Sequence, residues 1–525
     1  MSRRWVSTVL ASATTLALLA GCGGRGAEQV AAAPAGAAAD ATRGTATSSD
    51  VAAAPAVPPA AERTDSAAKA AKSTGVTDNA VAQAGGTAAA HGSATSAVTS
   101  PQRGRTSVSA GTAGTTQSAV ERLVATSRVF GGTAPCMPAT LSDVPFGNVS
   151  TLSGILGELM LPARSALQTF VAAQNACGGL NGHRFRISFE DDQGDPATAA
   201  AKAQELIQRQ KILAFVGNVE VLTIDAVVPV VNRYKIPIIG GDLASSTWFT
   251  NPLLFPQGPP GAAVAYGYLK GATGYFKKNV MGDIYCVEVP RGCGQNDAAL
   301  KELAPDFGVT LKKSLPASIT APSYVQQCLE LKSAGVEALA LLMDAASMVR
   351  MARSCEQVQY YPNVLPTSLG VGAEKQFLAG NKWLGNAYVA LNFFPWFATQ
   401  TPAEKYWRTS LQKYSPGIDL GTTASAGWTA GALLLAAAAE LSPTNPTTAD
   451  LLTGLYTFQG QKWTGLGGLA GPRTFATGRN PRVPYCYFAA ISNADNTGWA
   501  SSIATPQCTD VLAASDPQRN GDATR

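Results

Sequence analysis

The sequence has few histidines and few charges, and each shortage excludes a class of protein. Its 525 residues include two histidines, His91 and His183, which lie far apart. A histidine-rich metal site is therefore excluded, and a Ser-His-Asp triad would depend on one of these two residues. No Gly-x-Ser-x-Gly nucleophile motif occurs. Only 14% of the residues are charged and the net charge is +5, which is too weak a bias to indicate nucleic acid as a partner.

No run of 18 or more apolar residues is present, so the sequence predicts no membrane-spanning helix. The closest candidate, residues 430–441, is far too short. Residues 5–19 are mostly apolar, but serine and threonine interrupt them, and they directly follow Arg3 and Arg4. A short apolar segment behind two positive charges is typical of an export signal, which we place at residues 1–21.

The predicted signal ends in small residues and a cysteine, in the order Leu19, Ala20, Gly21 and Cys22. These four positions resemble the lipobox of bacterial lipoproteins. The resemblance implies that a diacylglycerol group is attached to the sulfur of Cys22 and that the chain is cleaved before it. An ordinary export signal with an incidental cysteine is the alternative. A lipidated Cys22 would hold the protein on the extracytoplasmic face of the cell membrane, through lipid alone.

Aromatic residues are absent from residues 23–128, where alanine, threonine, serine, glycine and proline dominate. Such a composition cannot bury enough apolar surface to offset the entropy lost on ordering the chain. We therefore expect residues 22–128 to form a disordered tether. A flexible chain of this length has a root-mean-square reach of roughly 55–60 Å.

Strand-like and helix-like segments alternate after the predicted tether. Asp195 followed by Pro196 is typical of a helix start. Repeated strand-helix alternation predicts right-handed crossovers and therefore an α/β fold with parallel sheets. Buried strands are expected at residues 184–189, 212–216, 237–239, 284–289 and 338–343.

The size of this segment predicts two lobes. Residues 129–511 exceed one comfortable hydrophobic core, and we expect residues 512–525 to be a flexible tail. In parallel sheets, ligands bind outside the carboxyl ends of the strands, near helix N-termini. Any single loop there could be an ordinary turn, but the set favours a shared cleft. The loops in question are residues 218–220, 242–246, 289–294 and 344–347.

Short motifs follow one another in a recognisable order along this segment. A loop at residues 150–154 precedes a helix that ends at residues 175–183. The next motifs are Glu190-Asp191-Asp192, Phe215-Val216-Gly217, Val228-Pro229 and Ile236-Pro237-Ile238. This series, over residues 144–491, resembles the leucine/isoleucine/valine-binding family of type I periplasmic binding proteins. The resemblance implies two doubly wound parallel-sheet lobes joined by three crossover strands, near residues 255–261, 388–397 and 468–483.

In such a fold each lobe is discontinuous in sequence. Lobe 1 would comprise about residues 138–257 and 389–465, and lobe 2 about residues 258–388 and 466–511. The family closes both lobes around a small solute and delivers it to an ABC permease or reports it to a membrane sensor, without catalysis, metal or cofactor. The resemblance therefore implies binding of an amino acid or similar small polar solute. The alternatives are a surface sensor without transport and an enzyme such as a cell-wall hydrolase.

The family's ligand-binding residues can be carried over only in part. The first loop keeps Ser153, whereas the second loop lacks the usual small hydroxyl residues. The acidic residue that commonly meets the solute's ammonium group is missing near residues 367–369, which weakens the case for a branched-chain amino acid. The candidate ligand-binding residues are Ser153, Asn218, Val219, Glu220, Asp242, Ala244, Ser245, Arg291, Asp344 and Ser368.

Three aromatic residues near the second expected crossover have two interpretations. Phe393, Phe394 and Trp396 could wall the cleft and stack on a solute, or they could belong to the core. For at least two of them, core packing is the preferred interpretation.

Nine cysteines leave an even set of eight once Cys22 is assigned to the lipid. An even set in an exported protein predicts disulfides, although eight cysteines allow 105 pairings and buried thiols are the alternative. No Cys-x-x-Cys motif occurs, so a redox motif or zinc ribbon is not indicated. Loop order favours Cys136–Cys177, Cys286–Cys293, Cys328–Cys355 and Cys486–Cys508.

Overall fold

The computed structural model describes residues 117–460 and 462–520. The predicted signal, Cys22 and the predicted tether up to residue 116 lie outside the described residues.

The first lobe is built on a parallel five-stranded sheet. In chain order the lobe contains α1 (Ala119–Thr126), β1 (Leu141–Ser150), α2 (Gly157–Asn175), β2 (His183–Asp191), α3 (Pro196–Gln210), β3 (Phe215–Asn218), α4 (Ile224–Tyr234), β4 (Ile238–Gly241) and β5 (Leu254–Phe255).

The strands of this sheet lie in the order β2-β1-β3-β4-β5, and every neighbouring pair is parallel. The predicted helix start is confirmed in α3, where the Asp195 carboxylate accepts a hydrogen bond from the Thr198 N–H and Pro196 is the first helical residue. Ala203 and Leu206 bury the inner face of α3. A short local signal thus fixes where this helix begins and which face meets the sheet.

The second lobe repeats the alternation around a parallel sheet of order β7-β6-β8-β9. The predicted strands at residues 284–289 and 338–343 correspond to β6 and β8, which are largely buried. Its elements are α5 (Ala262–Lys270), β6 (Val280–Cys286), α6 (Gln295–Leu303), β7 (Thr310–Ala317), α7 (Val325–Ser333), β8 (Ala338–Leu342), α8 (Ala345–Gln357), β9 (Asn363–Pro366), α9 (Glu374–Phe377) and β10 (Tyr388–Leu391).

The chain then returns to the first lobe and ends in the second. The entirely buried α11 packs on α2, where the Phe170 and Trp428 rings meet edge to face at 5.0 Å. The final strands form an antiparallel sheet of order β10-β11-β12, which the sequence pattern did not predict. The elements are α10 (Pro402–Tyr414), α11 (Thr422–Ala437), α12 (Thr448–Leu455), β11 (Tyr485–Ser492), β12 (Trp499–Thr509) and α13 (Pro517–Asn520).

Two parallel-sheet lobes joined by three chain crossings confirm the predicted fold class. The crossings follow β5, β10 and the short helical segment Lys462–Gly468. Because β10 pairs with β11, residues 389–391 belong to the second lobe, and the predicted boundary at residue 389 lies slightly too early.

Hydrogen bonds tie the three crossings together. Asn392 in the second crossing donates from Nδ2 to the Pro259 carbonyl oxygen in the first, at 3.1 Å. Arg473 in the third crossing donates to the Pro256 carbonyl at 3.4 Å and to the Gly471 carbonyl at 2.8 Å. Burial lowers the pKa of Arg473 to about 9, so it remains a cation at neutral pH. The crossings therefore form one connected hinge region.

Residues 119–126 correct the predicted end of the tether at residue 128. They form α1, whose first turn is capped by the Ser118 hydroxyl accepting a hydrogen bond from the Glu121 N–H at 3.1 Å. Val120 and Val124 are four residues apart and both are buried. The composition concealed this helix because a single eight-residue amphipathic segment follows a long alanine-rich stretch.

The predicted flexible tail is also ordered over part of its length. Asp516 accepts a hydrogen bond from the Tyr485 hydroxyl at 2.5 Å, and Gln518 accepts one from the Val483 N–H at 2.7 Å. Ala513, Asp516 and Gln518 are buried. Residues 512–520 therefore belong to the fold, and residues 521–525 lie outside the described residues.

Each of the four expected cysteine pairs is a disulfide in the structure. Cys328–Cys355 joins α7 to α8 across the strand β8, as expected. Cys486–Cys508 joins β11 to β12 at paired positions. The remaining bonds are Cys136–Cys177 and Cys286–Cys293.

Candidate functional site

A cavity lies between the two lobes, at the carboxyl ends of the strands. The first lobe contributes the start of α2 and the loops after β3 and β4. The second lobe contributes the loops after β6, β7, β8 and β9, together with the first residues of α5 and α6. The cavity has a volume of about 80 Å³. This position is where parallel α/β sheets place their ligands.

Most of the cavity wall is hydrocarbon. In the first lobe the apolar lining residues are Leu156, Leu159, Met160, Val221 and Leu243. In the second lobe they are Val264, Val289, Ile319, Leu342, Met343 and Leu369. Several of them form one apolar cluster that crosses from lobe to lobe. A solute that fills this space must therefore bury mainly apolar surface.

Asp242 is the polar residue of the first-lobe wall. It follows β4, and its two carboxylate oxygens accept hydrogen bonds from the Glu220 N–H at 2.9 Å and the Ala244 N–H at 2.8 Å. Burial raises the pKa of Asp242 to about 6, although these hydrogen bonds act in the opposite direction. Asp242 can therefore change its charge close to neutral pH.

Asp344 is its counterpart in the second lobe. It follows β8 and caps α8, with its Oδ1 accepting a hydrogen bond from the Ser347 N–H at 3.1 Å and its Oδ2 accepting one from the Ser347 hydroxyl. Ser368 follows β9, and its hydroxyl oxygen accepts a hydrogen bond from the Asn392 N–H at 3.3 Å. Both side chains are thus held by their own lobe and face the same cavity.

The structure brings four of the ten predicted residues together at the cavity, namely Asp242, Ala244, Asp344 and Ser368. The other six do not line it. They are Ser153, Asn218, Val219, Glu220, Ser245 and Arg291. The side chains of Ser153, Asn218, Ser245 and Arg291 bond to other residues of the protein, which the sequence alone could not show.

Asn218 and Glu220 are buried and hydrogen-bonded to each other, and neither lines the cavity. The Asn218 Nδ2 donates to Glu220 Oε1 at 3.0 Å, while the Val149 N–H donates to Asn218 Oδ1 at 3.3 Å. Burial raises the pKa of Glu220 well above its usual value, and the nearby Asp242 and Asp192 add to this effect. Val219, between the two, belongs to the interlobe apolar cluster.

Two of the predicted ligand-binding serines, Ser153 and Ser245, do not line the cavity. Ser153 is exposed and hydrogen-bonds to Asp191, whose pKa it helps to lower. Ser245 donates its hydroxyl hydrogen to Thr247 Oγ1 at 3.0 Å. Neither of these two hydroxyl groups is therefore presented to this cavity.

Arg291 joins the lobes at the edge of the cavity. Its Nη1 donates to Thr247 Oγ1 at 3.1 Å and lies 3.3 Å from Asp225 Oδ1. Both partners belong to the first lobe, whereas Arg291 lies in the loop after β6 in the second. The predicted ligand residue is instead an interlobe contact.

The Cys286–Cys293 disulfide forms part of the cavity wall, and residues 289–294 beside it are one of the loops expected at the cleft. Both cysteines line the cavity, as do Val289 and Gly292 between them. An added Cβ at Gly292 would lie 2.7 Å from the Ala244 carbonyl oxygen of the first lobe. The one available signal was the position of this loop directly after a predicted strand.

The aromatic residues of the second crossing belong to the core. Phe393, Phe394 and Trp396 are buried and none of them lines the cavity. The Phe394 ring meets Trp407 edge to face at 5.9 Å. Trp396 donates from Nε1 to Glu374 Oε2 at 2.6 Å. The core-packing interpretation therefore holds for all three.

Within residues 117–460 and 462–520, no helix is both long enough and apolar enough to span a membrane. The same described residues contain no cluster of three or more histidine, cysteine, aspartate or glutamate side chains arranged to hold a metal ion.

Comparison with known proteins identifies the family. A family model described as "Periplasmic binding protein" matches residues 143–496, which span both lobes and all three crossings. The chain belongs to the periplasmic binding protein family. No curated protein matches this periplasmic binding protein in sequence.

Solved structures share the fold of this periplasmic binding protein at low identity. One is a possible leucine/isoleucine/valine-binding protein from Rhodopirellula baltica, with a TM-score of 0.57, 16% identity, and coverage of 71% of this chain and 98% of the other. A fatty acid ABC transporter substrate-binding protein from Thermomonospora curvata has a TM-score of 0.60, 16% identity, and coverage of 72% and 95%.

A third similar structure is an ABC transporter solute-binding protein from R. palustris in complex with 4-hydroxybenzoate. Its TM-score is 0.57 at 15% identity, with coverage of 72% of this chain and 99% of the other. At such identities the likeness establishes the type I periplasmic binding fold alone.

Proposed function

We propose that the protein is the solute-binding component of an ABC uptake system and captures a small solute between its lobes. The observation that carries the proposal is a cavity walled by both lobes, so that a bound solute contacts both and stabilises the closed arrangement. The fold relatives described as ABC transporter substrate-binding proteins support the same function. The partner would be the system's membrane permease.

The cavity wall favours a solute that is mainly hydrocarbon over the free amino acid that the sequence suggested. An amino acid carries two charges that must both be matched, because a buried unpaired charge is costly. Ser153 and Ser245 bond to other residues and do not line the cavity. The apolar lining instead matches a hydrocarbon body with one polar end.

A homologous series tests this function. Isothermal titration of the purified protein with straight-chain alcohols from propanol to hexanol should show affinity rising with length until the cavity is full. Each buried methylene contributes about 0.8 kcal/mol, or roughly a fourfold change in Kd. Alanine, valine and leucine serve as the comparison. Binding of the amino acids without binding of any alcohol would overturn the hydrocarbon solute.

Two leucine variants locate the binding. Leu369→Asn places an amide in the cavity wall and should weaken alcohol binding by tenfold or more, since a buried amide needs a partner. Leu329→Asn, on the exposed face of α7, is the matched control and should leave binding unchanged. Equal effects of the two variants would place the site elsewhere.

The proposal retains lipid attachment at Cys22. In cells supplied with labelled palmitate, the unaltered protein should incorporate label and sediment with membranes, whereas Cys22→Ser should do neither. Two acyl chains give stable anchoring, while one gives only reversible binding. Incorporation of label into the Cys22→Ser variant would contradict lipidation at this residue.

A further inference from the structure

The charged side chains that line the cavity are all acidic. Asp242 from the first lobe and Asp344 from the second both line it. Among the described lining residues there is no lysine, arginine or histidine. A solute with a negatively charged end would thus meet two carboxyl groups and no basic side chain.

Asn296 supplies an independent indication of a missing partner. It lines the cavity and is only 9% exposed, yet its Oδ1 has no hydrogen-bond partner among the described residues. Its amide lies against Gly261, where an added Cβ would be 2.7 Å from that oxygen. A buried acceptor without a donor is destabilising, so Asn296 leaves an unsatisfied polar group beside the cavity.

We infer that the solute is an amphipathic amine whose ammonium group lies between Asp242 and Asp344, with its hydrocarbon part against the apolar wall. This inference rests on the proposed function and specifies the solute's class. An ammonium group offers three donors and a positive charge, which match the two carboxylates. The class differs from an amino acid because no carboxylate on the solute has a basic side chain to meet.

The N-termini of helices oppose the binding of an amine, because their free N–H groups favour anions. At α8 the protein itself supplies the negative charge. Asp344 accepts a hydrogen bond from the Ser347 N–H and places its carboxylate at that terminus. In the first lobe, Asp242 accepts two backbone N–H groups of the loops after β3 and β4. The protein's own carboxylates therefore occupy donors that a solute anion would need.

The test compares two series of molecules, and the members of each series share a shape but are cationic, neutral or anionic. Benzylamine, benzyl alcohol and benzoate share a ring, as hexylamine, hexanol and hexanoate share a chain. Isothermal titration of the purified protein at pH 7.5 should give each amine a Kd at least tenfold lower than that of its alcohol and acid partners. An alcohol or acid that binds as tightly as its amine overturns the inference.

Variants connect the preference to the two carboxylates. Asp344→Asn keeps a helix cap and removes the charge, so it should reduce amine affinity by about tenfold, and Asp242→Asn should act in the same direction. Asp306→Asn, at an exposed aspartate away from the cavity, should change nothing. Unaltered amine preference in both cavity variants would overturn the inference. Alcohol binding without amine preference would leave the solute-binding function standing, whereas no binding of either would contradict both.

Discussion

Arg291 of the second lobe pairs with Asp225 of the first, with 3.3 Å between the guanidinium Nη1 and the carboxylate Oδ1. Among the ion pairs of the described residues, this one joins the two lobes. It lies beside the cavity, because the next residue, Gly292, lines it. The pair therefore connects the two lobes next to the candidate solute site.

Removal of this contact should weaken solute binding modestly. Arg291→Ala loses an exposed ion pair, which contributes roughly 0–1 kcal/mol, so Kd should rise by no more than about fivefold. Arg184→Ala is a matched control, because Arg184 has the same exposure and pairs with Asp143 within the first lobe. Titration of both variants with hexanol checks this prediction. An equal loss in both variants would show that the interlobe position of Arg291 has no importance.

Solute binding should be sensitive to the addition of even a methyl side chain at Gly292. A methyl group there would meet the Ala244 carbonyl oxygen at 2.7 Å and hold the lobes apart, so Gly292→Ala should weaken solute binding by tenfold or more while changing the melting temperature little. Gly294→Ala, where an added Cβ meets nothing within 4 Å, should bind normally. Titration and thermal unfolding of both variants test this, and normal binding by Gly292→Ala would contradict the closed geometry.

Removal of the Cys286–Cys293 disulfide should weaken solute binding as well as lower the stability of the protein. Replacing both cysteines by serine should cost about 2–3 kcal/mol of stability by loop-closure entropy and weaken solute binding, because the cavity wall is no longer fixed. The Cys486–Cys508 pair closes a longer loop away from the cavity, so its removal should cost at least as much stability and leave Kd unchanged. Denaturant unfolding and titration separate these effects. Unchanged Kd in the first variant would exclude a role in the site.

Amine binding should weaken as the pH falls through about 6. Burial raises the pKa of Asp242 to about 6, and a cation favours its charged form, so protonation below that pH removes an attraction. The Glu220 carboxyl group lies close enough to Asp242 to interact with it electrostatically, and Asp344 lines the same cavity. Between pH 7.5 and 5 the Kd of benzylamine should rise by up to about tenfold, while that of benzyl alcohol stays constant. Tighter amine binding at pH 5 would reverse the assigned sign.

The fold could be predicted from the sequence because its signals are local. Asp195 and Pro196 mark the start of α3, and the apolar segments of β3, β6 and β8 are bounded by turns. The remaining elements depend on tertiary contacts. Val120 and Val124 identify α1 only once there is a core for them to contact. The strands β11 and β12 pair with each other, and β11 also pairs with β10.

The candidate site was only partly predictable for a related reason. Asp242 and Asp344 follow strands and carry polar side chains, so their positions were visible. Leu156 and Ile319 line the same cavity, but in sequence a leucine or isoleucine beside a cleft is indistinguishable from one in the core. Asn218 does not line the cavity, and its bond to Glu220 depends on the folded backbone, which the sequence alone does not show.

A crystal structure of the protein grown with benzylamine would test the central claim most directly. The account predicts the ring against Leu369 and Ile319, with the amine nitrogen within hydrogen-bond distance of Asp344 or Asp242. Density for the amine outside the interlobe cavity, with that cavity unchanged, would contradict it.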